Sequence, residues 1–225
     1  MPRHMPDISS PAVGVTAKSA PGQRGRPRDP ERLRRILDVA RNHFYAHGFE
    51  RANLDAIASD AGVSKMTVYS HFTSKESLFE AVIGIRTDGV IGSSDRAAVT
   101  DASNPEATLM KIGIQFLSLI RDPNTLNQFR TLFAAAATQP DACMAFYRQG
   151  ADRLITELAS YLSAAHTAGA LCVPKPRQAA DMFLAMFMGD GHICGLLRLP
   201  MPSARTDKML LGEAVRVFIA AFGRH

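Results

Sequence analysis

Four times beyond residue 100, this chain sets a proline directly behind a polar or basic residue at the head of an amphipathic run: Asn104-Pro105, Asp122-Pro123, Gln139-Pro140 and Lys175-Pro176. Proline fits the first helical turn because the N–H it lacks would have no intrahelical partner there. Each pair therefore reads as the start of a helix. The residues behind them recur at helical spacing: Leu109, Ile112, Phe116 and Leu119, then Phe129, Leu132 and Phe133, then Phe146, Leu154, Leu158 and Leu162, then Phe183, Met186 and Phe187. A last helix is expected from about Ser203, with Leu210, Leu211, Val215, Phe218, Ile219 and Phe222 on its apolar side. No βαβ alternation and no strand-like run bounded by turn residues interrupts this pattern, so the fold is expected to be all-α.

The first 29 residues mix Pro, Ser, Gly, Ala and Arg without an apolar period and are expected to be disordered. From Pro30 the pattern changes. Ile36, Leu37, Ala40 and Phe44 recur at helical spacing until His47-Gly48 supplies a stop. Asn53 can N-cap a short helix carrying Leu54, Ile57, Ala58 and Ala61, ended by Gly62. Ser64 can cap the next, through about His71, and Ser74 a fourth with Leu78, Phe79, Val82 and Ile83 on one face. Residues 87–104, rich in Gly, Ser, Asp and Thr, read as a frayed helix end and a loop. Three short helices with a tight turn at Gly62 make a helix-turn-helix arrangement, whose second member enters the DNA major groove. Val68 and Phe72 lie one turn apart and face inward with Ala61, which turns Met66, Thr67 and Ser70 outward and leaves Lys65 and Tyr69 on a flank. Their donors, with those of Asn53, Ser64 and His71, can face phosphates and base edges, although His71 fits a helix-end cap equally well.

These residues also carry a family resemblance. The run Phe44, Phe49, Leu54, Ile57, Ala58, Ala61-Gly62-Val63-Ser64, Val68-Tyr69, His71-Phe72, Lys75-Glu76, Leu78-Phe79 resembles the N-terminal DNA-binding domain of TetR/AcrR transcriptional regulators. The stretch from Arg130 through Phe146-Tyr147 and Ala179-Ala180-Asp181 to Gly189-Asp190 is similar to the AefR-like branch. The resemblance implies a helix-turn-helix domain at 30–80 and a larger helical bundle at 81–225 that binds a ligand and dimerises, preceded by the basic arm at 1–29. It implies a repressor that binds a palindromic operator as a dimer and leaves it when a small hydrophobic or amphipathic effector binds. Lys65, Met66 and Thr67 take the places of base-edge readers, and Tyr69 and Lys75 those of phosphate contacts. Many relatives carry glycine where Met66 stands, so Met66 can meet a thymine methyl here.

The body is rich in Met and Phe, residues suited to an adaptable apolar pocket. The resemblance places that pocket among residues 105–190, with Phe116, Phe129, Phe133, Phe146, Phe183, Met186 and Phe187 as candidate walls. Gln115, Arg130, Tyr147 and Asp190 are candidate polar anchors. It also puts the homodimer interface on the last two helices, about 176–197 and 203–222.

Charge is concentrated rather than large. Between Lys18 and Arg35 seven basic residues face two acids, in a chain whose net charge is +5. Such an arm is the electrostatic footprint of a nucleic-acid binder. Its Arg24-Gly25-Arg26-Pro27-Arg28 core resembles a minor-groove hook, which leaves an architectural A·T-rich DNA-binding protein as the alternative. An enzyme is not expected, because no GxSxG, GxGxxG, P-loop or HExxH pattern occurs and no cofactor or metal is called for. His43 and His47 sit four apart, but no third ligand accompanies them. Cys143, Cys172 and Cys194 lie far apart, which suits reduced thiols. No apolar run reaches a membrane span of about 18 residues, so no membrane partner and a cytoplasmic location are expected.

Overall fold

The computed structural model describes residues 30–91 and 101–223. They form helices α1 (Pro30–Arg51), α2 (Leu54–Asp60), α3 (Lys65–His71), α4 (Lys75–Ile91), α5 (Pro105–Arg121), α6 (Pro123–Ala135), α7 (Pro140–Tyr147), a π-helical turn (Arg148–Asp152), α8 (Arg153–Thr167), α9 (Pro176–Ala185), α10 (Asp190–Leu196) and α11 (Ala204–Phe222). The protein is all-α. The only pairing of extended backbone among these residues is a bridge between Leu171 and Gly223, which ties the end of α11 to the loop after α8.

Local chemistry starts these helices where expected. Asn53, Ser64, Asn104, Asp122 and Ser203 each accept a backbone N–H two or three residues ahead. The four prolines occupy the first turns of α5, α6, α7 and α9. Such caps satisfy donors the helix itself leaves unpaired, each contributing about 1 kcal/mol. Gly48 breaks the helical dihedrals of α1 with φ 75° and ψ 171°, so the chain turns there as the sequence suggests, although helix resumes through Arg51.

Two expectations need correction. Residues 87–91 are not a frayed end: α4 runs to Ile91 and buries Thr87, Val90 and Ile91. The single helix expected at 176–197 is broken at 186–189, where Phe187 and Met188 bond back only three residues, to Leu184 and Ala185, before Gly189 opens α10. Tight turns of this kind end an α-helix.

The core has two parts. Ile36, Ala40 and Phe44 of α1, Ile57 and Ala58 of α2, Val68 of α3 and Leu78, Phe79, Val82 and Ile83 of α4 close a head, to which α6 and α7 lend Leu132, Ala142 and Ala145. The body gathers Leu109, Ile112 and Phe116 of α5, Leu158 and Leu162 of α8, Phe183 of α9, Phe187 of the break that follows it, and Phe218 of α11. Helix α4 serves both, with Phe79 in the head and Val90 and Ile91 in the body.

Candidate nucleic-acid interface and buried cavity

Helix α3 is amphipathic over only seven residues. Val68 is fully buried, and Phe72, just past the helix, and Ala61 close around it. This leaves Met66 76% exposed and Tyr69 41% exposed, with the Lys65 ammonium 6.0 Å from the centre of the Tyr69 ring. Ser64 accepts the Thr67 N–H at 3.1 Å and shares a 2.8 Å hydroxyl bond with Thr67, while Ser70 donates to the Thr67 carbonyl. Lys65 is held by Asp55 of α2 at 2.7 Å, both side chains more than half exposed. That hydrogen bond, with the charge of Asp55, raises the lysine above its ordinary pKa. His71 is half-buried beside Phe72.

Lys75 stands apart from this surface. Its Nζ donates to the carbonyls of Glu50 at 2.9 Å and Ala52 at 3.5 Å and lies 4.6 Å from the centre of the Phe49 ring. Two of its three donors thus close the end of α1, and one is left for an outside partner. Asn53 spends its side-chain oxygen on the α2 cap. Arg24, Arg26 and Arg28, with the rest of the basic arm, lie outside the described residues.

One pairing escaped the sequence reading. His43 of α1 bonds Asp60 of α2 at 2.8 Å, a polar tie beside the apolar contacts that pack the first two helices. No group of three or more His, Cys, Asp or Glu side chains among the described residues could hold a metal ion.

In the body a cavity of about 160 Å³ opens between α4, α5, α6, α7, α8 and α9. Phe116, Phe129 and Phe146, three of the residues singled out in the sequence, line it together. Phe129 meets Phe146 edge-on at 5.1 Å and the buried His192 ring at 5.4 Å. The other candidates lie elsewhere. Phe183 and Phe187 are fully buried in the body core, and Met186 packs against it. Gln115 and Asp190 are exposed, and so are Phe133 and Tyr147, at 62% and 49%. Arg130 donates to the Gly195 and Leu196 carbonyls at 2.6 and 2.8 Å and so closes the C-terminal end of α10.

Thr87, Thr125 and Gln128, which the sequence did not single out, also line the cavity, as do Leu154, Asp181 and Met188. A signal for Gln128 existed: with Thr125, Phe129 and Leu132 it falls on the inward stripe of α6, where a polar side chain is out of place. The π-helical turn brings Gly150 and Ala151 to the wall. Such turns are rare and concentrate at functional sites. Behind the cavity, Arg121 pairs with Asp207 at 3.2 Å, both largely buried. Burial, and then the Arg121 charge, hold His192 below the ordinary histidine pKa. The Ile120 carbonyl lies near enough to oppose this weakly without forming a well-aligned hydrogen bond.

A head with exposed donors on α3 is thus joined to a body around an apolar cavity. Sequence profiles agree with this division: residues 36–82 match the bacterial regulatory proteins of the tetR family, and residues 107–224 match the C-terminal domain of AefR-like transcriptional repressors. The chain belongs to the TetR family. It is a TetR-family DNA-binding transcriptional regulator, a class of regulators rather than of enzymes. It is 38% identical over 78 residues to the HTH-type transcriptional activator FasR of Mycolicibacterium smegmatis, 35% of either chain. It is 29% identical over 118 residues to the HTH-type transcriptional repressor KstR of Mycobacterium tuberculosis, 52% of this chain and 54% of that one. The match thus spans about a third to a half of these curated relatives. A TetR-family regulator from Mesorhizobium loti superposes with a TM-score of 0.72 at 25% identity, covering 88% of this chain and all of that structure. No helix among the described residues is long and apolar enough to cross a membrane.

Proposed function

We propose that this TetR-family protein is a repressor that binds a palindromic operator as a homodimer and is released by a small hydrophobic or amphipathic effector held in the body cavity. The observation that carries the reading is the position of α6. On one side its Thr125, Gln128 and Phe129 line the cavity. On the other, Asn127 donates to the Tyr45 carbonyl of α1 at 3.2 Å, and Thr131 packs where α1 turns at Gly48. One helix therefore touches both the candidate effector site and the DNA-reading head. A ligand that fits the cavity better with α6 or α4 displaced shifts the protein toward that state by its difference in affinity.

On the head, Lys65, Met66 and Thr67 are placed to read base edges. Ser64, Tyr69, Ser70, His71 and the spare donor of Lys75 are within reach of phosphates. Arg24, Arg26 and Arg28 add minor-groove contacts in this scheme. Dimerisation through α9, α10 and α11 is supported by the apolar side chains they leave open to solvent, among them Met182, Ile193, Met209 and Val217, each between 46% and 64% exposed. A two-fold dimer sets two copies of α3 into successive major grooves, which demands a palindromic site. Repression is favoured over activation by the AefR-like repressor profile of the body.

The test is selection of bound sites from a random duplex library with full-length protein at near-physiological salt, followed by a promoter reporter carrying the selected site. An enriched palindrome that silences the reporter supports the reading. Enrichment of A·T-rich DNA without symmetry would replace it with architectural binding through the basic arm.

A further inference from the structure

Resting on the reading of the cavity as the effector site, we infer that the effector is an uncharged, largely apolar molecule with one hydrogen-bond acceptor, such as a ketone, ester or amide carbonyl, bound by the side-chain amide of Gln128. Gln128 is only 5% exposed, and its Nε2 has no hydrogen-bond partner among the described residues although it belongs to the cavity wall. A buried donor left unpaired is costly, and native proteins seldom keep one without a use for it. The other hydroxyl donors of the wall are spent. Thr87 donates to the Gly84 and Gln149 carbonyls, both at 2.9 Å, and Thr125 to the Asp122 carboxylate at 3.3 Å. Gln128 is thus the donor a ligand finds free, and a donor selects an acceptor.

The charge of the ligand follows from the same wall. No Lys, Arg or His side chain lines the cavity, and its one ionisable residue is Asp181. Arg153, near by on α8, is already held by Asp88 and Glu157. A carboxylate ligand would lose its hydration with no cation to receive it and would meet Asp181 besides. A cation fares no better, since Asp181, the one carboxylate of the wall, is exposed and keeps its own water, and the neutral Gln128 amide cannot offset the loss of a cation's hydration. As to size, a cavity near 150 Å³ holds about one benzene ring in an engineered lysozyme, so the buried part of the ligand is on the order of one six-membered ring.

A matched series tests this in full-length protein by isothermal titration: acetophenone, ethylbenzene, benzoate and benzylamine, against the parent and Gln128→Leu. We expect acetophenone to bind the parent about 3- to 10-fold tighter than ethylbenzene, the range of one neutral hydrogen bond, with benzoate and benzylamine weakest. In Gln128→Leu that preference disappears or reverses. Tightest binding of benzoate or benzylamine overturns the inference, and so does equal binding of acetophenone and ethylbenzene to the parent. Those outcomes leave the cavity as a ligand site of different preference. Failure of all four to bind at millimolar concentration, with no response of either protein, removes the effector reading of the cavity as well.

Discussion

Gly48→Ala strikes the joint between the reading head and the body. Gly48 has φ 75° and ψ 171°, a region of backbone space open essentially to glycine. Holding alanine there costs about 1–3 kcal/mol. A Cβ would also stand 2.9 Å from the Thr131 methyl, well inside contact distance. Thr131 cannot rotate away freely, since its hydroxyl donates to the Asn127 carbonyl at 2.9 Å. Relieving the overlap adds on the order of 1 kcal/mol. The expected loss is about 2–4 kcal/mol in urea denaturation followed by helical circular dichroism, with weaker operator binding as α1 loses its seat on α6. Thr131→Ser removes the methyl and keeps the hydroxyl, so adding it to Gly48→Ala should recover the overlap share and leave the backbone share. Gly62 is the comparison, with φ 64° and no atom within 4 Å of the point a Cβ would occupy: Gly62→Ala should lose only about 1 kcal/mol. A Gly48→Ala protein within about 0.5 kcal/mol of the parent, the spread of ordinary surface substitutions, would refute the reasoning. Full recovery by Thr131→Ser would remove its backbone component.

Three further outcomes follow from the same contacts. Asp55→Asn frees Lys65 from its 2.7 Å ion pair and removes a negative charge beside the reading helix; operator affinity by fluorescence anisotropy should rise a few-fold, most at low salt, and a fall would count against Lys65 as a DNA contact. Lys75→Met deletes the bonds to the Glu50 and Ala52 carbonyls and the Phe49 contact; thermal unfolding should show a loss of about 1–2 kcal/mol even without DNA, whereas a purely phosphate-binding lysine would leave stability unchanged. His192 titrates below its ordinary value because the buried ring resists charge; the unfolded chain therefore takes up a proton first as pH falls, so this contribution to stability is whole above about pH 6.5 and is lost below it. Denaturation midpoints of the parent and His192→Gln should diverge in the variant's favour between about pH 7.5 and 5.5, and a constant gap would show that His192 does not titrate in this range.

Much of the fold could be read from short stretches. The caps at Asn53, Ser64, Asp122 and Ser203 and the first-turn prolines act within one helical turn, so neighbouring residues suffice to place them. The inward face of α3 was equally legible, because Val68 and Phe72 are one turn apart and the hydrophobic period permits only one face to be buried. The pocket was harder. Phe129 and Phe133 share a stripe on α6, yet one lines the cavity while the other is 62% exposed, although Leu132 beside it is buried in the head. Helical period separates Gln115, on a solvent face, from Gln128, on the inward stripe of α6, but nothing local tells that Gln128 borders a cavity rather than packed side chains.

What the sequence alone determined, then, is the helical class, the starts of most helices and the residues that α3 presents to solvent. These depend on hydrogen bonds and side-chain periods spanning a few residues. Tertiary structure alone decided that Lys75 closes α1, that Arg130 caps α10, that the helix after Pro176 breaks at 186–189, and that Gly48 meets Thr131. The cavity belongs to this second group for a plain reason. It is the volume left over when helices distant in the chain have packed as closely as their side chains allow, and no single segment carries the shape of that remainder.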